Sequence, residues 1–144
     1  LKRKNVKNNL KLKTMKKLII LLVLFTTCLY GQKFQSYSYS YARDVQIGWE
    51  EPIKAETEII MDLEQDKIVL SNAKNYIVLS EINLKENFTN ENGFKGTTYI
   101  CKDKKGQKLE FIIMHQTSVK NKKLIVLSYD KYLIAYDLYV QNHL

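Results

Sequence analysis

Tyrosines make the most distinctive pattern in this chain. Tyr37, Tyr39 and Tyr41 alternate with Ser36, Ser38 and Ser40, and in an extended strand that spacing puts all three rings on one face. Trp49 follows shortly, and Tyr129, Tyr132, Tyr136 and Tyr139 crowd the C-terminal stretch. Each ring offers a flat apolar face with a polar rim. The chemistry on offer is therefore noncovalent: stacking against an apolar or sugar-like ligand. Tyr37, Tyr39, Tyr41, Trp49, Tyr132 and Tyr136 are the candidate ligand-binding residues. The competing reading is structural, since tyrosine is an ordinary strand residue.

Catalytic chemistry has thinner support. Cys101 and His115 are the obvious thiol–imidazole pair. A hairpin looping over Lys104 to Gln107 sets Cys101 opposite Glu110, which leaves His115 about 17 Å further along the strand. A nucleophilic dyad needs hydrogen-bond distance, so Cys101 reads as a small buried hydrophobe. Beyond the leader the only histidines are His115 and His143, and no CxxC is present, so the sequence carries no metal-ligand spacing. Asp62, Glu64 and Asp66 flank a turn without the glycine and distal glutamate of a calcium loop. No GxSxG, GxGxxG or GxxxxGK[ST] occurs, so neither a nucleophile elbow nor a phosphate cradle is expected. The expectation is a non-enzyme without cofactor or metal; a hydrolase built around His115 is the least favoured reading. Asn87-Phe88-Thr89 fits a glycosylation sequon, a pattern common by chance.

The start of the chain speaks about location. From Met15 it reads Lys16-Lys17, an apolar run from Leu18 to Phe25, then Thr26 to Gly31. A short basic region, an apolar stretch and a small residue at the cut describe a signal peptide, here spanning 15–31 with cleavage before Gln32. The run is short of the about 20 apolar residues a membrane span requires. Residues 1–14, rich in Lys and Asn, read as a disordered upstream extension, with Met15 the true start. Cys28 offers an alternative, because Leu24 to Cys28 loosely fits a lipobox whose cysteine would carry a lipid anchor. The expected location is periplasmic or secreted, with membrane contact only through the leader or a lipid on Cys28.

That leader also explains the charge. The chain carries a formal +8, but residues 1–31 hold eight basic residues and no acid. Removing them from 23 basic residues leaves 15, against 15 acids. A neutral domain has no general electrostatic hold on a polyanion, so nucleic acid is not an expected partner. Lys102, Lys104, Lys105 and Lys108 cluster around a turn and read as a solvated loop. What remains, 32–144, is the size of one domain, and its single Cys101 permits no internal disulfide.

The elements that must position these residues are strands. Ile, Val, Tyr, Phe and Thr recur in short runs separated by Asn, Asp, Lys and Gly. Eight or nine strands are expected: Gln35 to Arg43, a short one around Gln46 to Trp49, Thr57 to Leu63, Ile68 to Ser71, Tyr76 to Ile82, Thr97 to Lys102, Leu109 to Gln116, Lys123 to Tyr129 and Tyr132 to Val140. The Glu64 to Lys67 turn sets Leu63 opposite Ile68 and Met61 opposite Leu70. Asn83 to Gly96 reads as the longest loop, with room for one helical turn. Successive hairpins make an antiparallel meander, and a meander hides its edges by closing into a barrel or rolling into a sandwich. The expected class is all-β: a small barrel, calycin-like in architecture, or a sandwich. Architecture alone implies no function. On function the sequence predicts an exported binding module for a small apolar or sugar-like ligand. The alternative is a structural or protein-interaction module of the cell envelope, with an envelope protein as partner.

Overall fold

Period-two burial runs through the chain from Gln32 onward and closes on itself. The computed structural model describes residues 11, 13–16, 31–43, 46–116 and 122–138. The chain divides into two compact units, Leu1–Gly31 and Gln32–Leu144. In the first, Lys11 and Lys13 to Lys16 are helical, where the sequence suggested disorder as far as residue 14. The apolar run, Cys28, Tyr139 and His143 lie outside the described residues. Among the described residues, no helix is long and apolar enough to cross a membrane.

The second unit is a closed antiparallel barrel of eight strands in sequence order. They are β1 (Gln32–Ala42), β2 (Ile53–Asp62), β3 (Lys67–Ser71), β4 (Tyr76–Thr89), β5 (Phe94–Lys102), β6 (Lys108–Gln116), β7 (Lys123–Ser128) and β8 (Leu133–Leu138). Closure comes from β1 pairing with β8, Tyr39 facing Tyr136 and Tyr41 facing Ile134. The sandwich is thereby excluded. Inward residues of successive strands, among them Ile59, Ile68, Leu70, Leu79, Phe111, Ile125 and Leu127, are fully buried in one core.

Four details depart from the sequence reading. Residues around Gln46 to Trp49 form a turn and coil, with Gly48 at φ +97°, so the ninth strand is absent. The expected long loop is mostly strand: β4 continues to Thr89, and the reversal is confined to Asn90–Gly93. Its polarity is that of a strand whose outer half is solvated, not of a loop. The β2–β3 register pairs Met61 with Ile68 and Ile59 with Leu70, leaving Leu63 in the turn. This is a slip of two residues, which preserves faces. The β5–β6 loop is one residue longer than expected, so Cys101 faces Leu109 instead of Glu110. A slip of one exchanges the two faces. Asp103 accounts for the extra residue, since its carboxylate accepts the amides of Lys105 and Gln107, both at 2.9 Å.

Candidate binding site

An up-and-down barrel sends alternate connections to opposite ends. The β1–β2, β3–β4, β5–β6 and β7–β8 connections share one end, and the tyrosines gather there. Tyr39 and Tyr136 sit inside, 5% and 3% exposed, with ring centroids 5.7 Å apart. Tyr41 meets Tyr39 edge-on at 5.5 Å and reaches Tyr132 at 6.5 Å. Tyr132 stacks on Tyr129 at 4.7 Å, with 16° between the planes. Five rings thus form a chain from the core to the rim, each contact within the range where aromatic pairs attract.

Two candidate residues fall outside this chain. A β-bulge between Ser36 and Ser38 interrupts the ladders to both β2 and β8. The extra residue shifts the alternation, so Ser36 and Tyr39 are buried while Tyr37 is 48% exposed. Three tyrosines at spacing two therefore do not share a face, which corrects the sequence expectation. Ser36 supports the bulge by donating its hydroxyl to the carbonyl of Ser38 at 2.8 Å. Trp49 lies at the tyrosine end, in the β1–β2 connection, which is tied down by the Glu50 amide donating to the Tyr41 carbonyl at 2.7 Å. Its ring is 48% exposed and makes no ring contact with the cluster among the described residues.

Tyr129 belongs to the cluster and was not among the candidates. Its amide donates to the carbonyl of Tyr132 at 2.9 Å, which closes the last turn and brings the two rings together. The signal was present in the sequence as two tyrosines flanking Asp130-Lys131.

Burial sets the acid–base character of the site. Loss of solvent pushes the Tyr129 phenol up to about 12, with the nearby Tyr132 and Asp103 adding to the shift. Tyr136 is raised further still, and Tyr41 is raised more mildly, in both cases mainly by burial. These hydroxyls remain neutral donors at any physiological pH. Burial likewise lifts the Cys101 thiol to about 11, so no thiolate is available. Leu109, opposite Cys101, and His115 are six residues apart on β6, roughly 20 Å at the usual rise. Thiol and imidazole are kept apart.

Two further cavities border the barrel. One, of about 580 Å³, opens between the β5–β6 and β7–β8 hairpins beside Lys108, Glu110, Tyr129 and Asp130. The other, of about 440 Å³, lies at the opposite end, where β5 and β7 begin and β6 finishes. Among the described residues, no cluster of three or more His, Cys, Asp or Glu side chains is placed to hold a metal ion. Comparison with protein-family models, with curated proteins and with solved structures finds no match.

Proposed function

We propose that this chain is an exported, non-enzymatic binding domain that recognises a flat, sugar-like ligand through the tyrosine end of its barrel. The observation that carries the reading is Tyr132, 37% exposed, stacked on Tyr129 and backed by the ring chain that runs into the core. A ring held from behind is pre-organised, so a ligand stacking on it has little side-chain entropy to remove. The barrel interior is occupied by core side chains, which favours a rim site over an enclosed apolar one. Export rests on the basic–apolar–small order from Met15 to Gly31. The test is a titration with a panel of β-linked oligosaccharides followed by tyrosine and tryptophan fluorescence. Saturable binding that is lost in Tyr132→Ala, with folding intact, supports the reading. A flat response across the panel defeats it.

A second reading rests on a different observation. The β3 ladder ends at Leu79 of β4. Beyond it the Asp66 carboxylate accepts the amides of Glu81 and Ile82 at 3.0 and 2.6 Å. From residue 83 to 89, β4 pairs with β5 alone among the described residues. Such an edge accepts an added strand from an envelope protein. Hydrogen exchange across 83–89 would then be slower in envelope preparations than in the isolated chain; equal rates would reject strand addition.

A further inference from the structure

At the end of the barrel opposite the tyrosines, three basic side chains stand in one cross-strand row. Lys95 on β5 faces His115 on β6, and His115 faces Lys123 on β7. Residues directly opposite lie about 4.5–5.5 Å apart at Cβ and project to the same side, so two lysine ammoniums flank one imidazole. None of the three takes part in the ion pairs found among the described residues, which join Lys33 to Glu58, Lys85 to Glu110 and Lys102 to Glu81.

The same three residues line the cavity of about 440 Å³, and among the described residues no Asp or Glu contributes to its wall. Phe88, Ile113 and Met114 supply an apolar part of that wall. Gly96 makes the arrangement possible. It lies between Phe88 and Met114 in the ladder, and a Cβ there would come within 2.9 Å of both side chains and collide with the Ile113 carbonyl oxygen. A basic row beside an apolar wall matches a ligand with one charged head and one apolar flank.

We propose that this cavity is a second binding site, independent of the tyrosine rim, for a small amphiphilic anion. Its phosphate or carboxylate head contacts Lys95, His115 and Lys123, while its apolar part lies against Ile113, which shares their face of the sheet. The lysines supply charge, and the histidine adds a ring donor between them.

The experiment titrates the full chain with octyl phosphate and, separately, with inorganic phosphate, following the His115 ring and Ile113 methyl resonances by NMR. Octyl phosphate is expected to saturate and to shift both signals. Inorganic phosphate should shift His115 alone, at least ten-fold more weakly. The Lys95→Gln/Lys123→Gln double variant should weaken octyl phosphate binding ten-fold or more, with the Lys95→Arg/Lys123→Arg variant retaining it and Tyr132→Ala leaving it unchanged. The tested lysines are exposed, so the glutamine variants should keep the thermal midpoint. No saturable shift with octyl phosphate would overturn the proposal. So would undiminished binding in the glutamine double variant, binding lost only in Tyr132→Ala, or equal affinity for the two probes.

Discussion

The two ends of this barrel solve opposite problems with the same eight strands. At the tyrosine end, rings satisfy one another: Tyr136 and Tyr39 anchor in the core, Tyr41 bridges, and Tyr132 lies on Tyr129. At the basic end, Lys95, His115 and Lys123 are brought face to face with no acid among the described residues of the cavity wall. Fold stability explains much of the first arrangement, since buried aromatic area and ring contacts both favour the native state. It explains little of the second, because Lys95, His115 and Lys123 are exposed and bury no large apolar area there. A clustered residue type therefore points to a ligand most strongly where the fold gains nothing from the clustering.

Core and rim within the tyrosine end separate first. Tyr136→Ala should cost about 3–5 kcal/mol, the usual range for truncating a large buried aromatic, whereas Tyr132→Ala should cost under about 1.5 kcal/mol, little beyond its lost ring contacts. Urea unfolding of the two variants measures the gap, and equal losses would mean that the rim is as structural as the core. Gly96→Ala comes next, at about 1–3 kcal/mol for overpacking a filled site. It should distort the basic end and leave the tyrosine fluorescence unchanged.

Alkaline titration sharpens the contrast from another side. Groups whose folded value is raised hold their stabilising contribution below the unfolded value and lose it as pH climbs towards the folded one. Cys101 moves from 9.0 to about 11 and Tyr129 from 10.0 to about 12. Thermal midpoints should accordingly hold below pH 9 and fall between pH 9 and about 12. Cys101→Ser would not be a clean control because it buries a hydroxyl; Cys101→Ala removes the lower part of that window. A flat profile to pH 11 would show that these groups are better solvated than their burial implies. The smallest effect belongs to the basic end: Lys123→Gln, at an exposed site, should change stability by less than about 0.5 kcal/mol. A larger decrease would mean that an acid reaches the row.

Much of the barrel was legible in the residues. Alternation in Thr57 to Met61 and Leu109 to Ile113 follows the two-residue period of a strand with one buried face. Short turns rich in Asn, Asp and Gly dictated a meander, and Cys101 read correctly as a core residue. The stretch 83–89 read as a loop because its residues are polar. Polarity reports solvent exposure, and an outlying strand is as exposed as a loop. The site was legible only in part. Tyr39, Tyr41, Tyr132 and Tyr136 do come together, but nothing in the serine–tyrosine repeat announces the bulge that turns Tyr37 away.

What the sequence determined alone is what local physics encodes: strand period, turn positions, the charge-free balance of 32–144 and the order of the hairpins. Tertiary structure decided what depends on register and closure. A one-residue change in the β5–β6 loop put Cys101 opposite Leu109 and Lys95 opposite His115. Closure of β1 on β8 brought Tyr39 to Tyr136 from positions nearly a hundred residues apart. Both are long-range pairings, in which each residue's neighbour is chosen by the whole ladder instead of by the residues beside it in the chain.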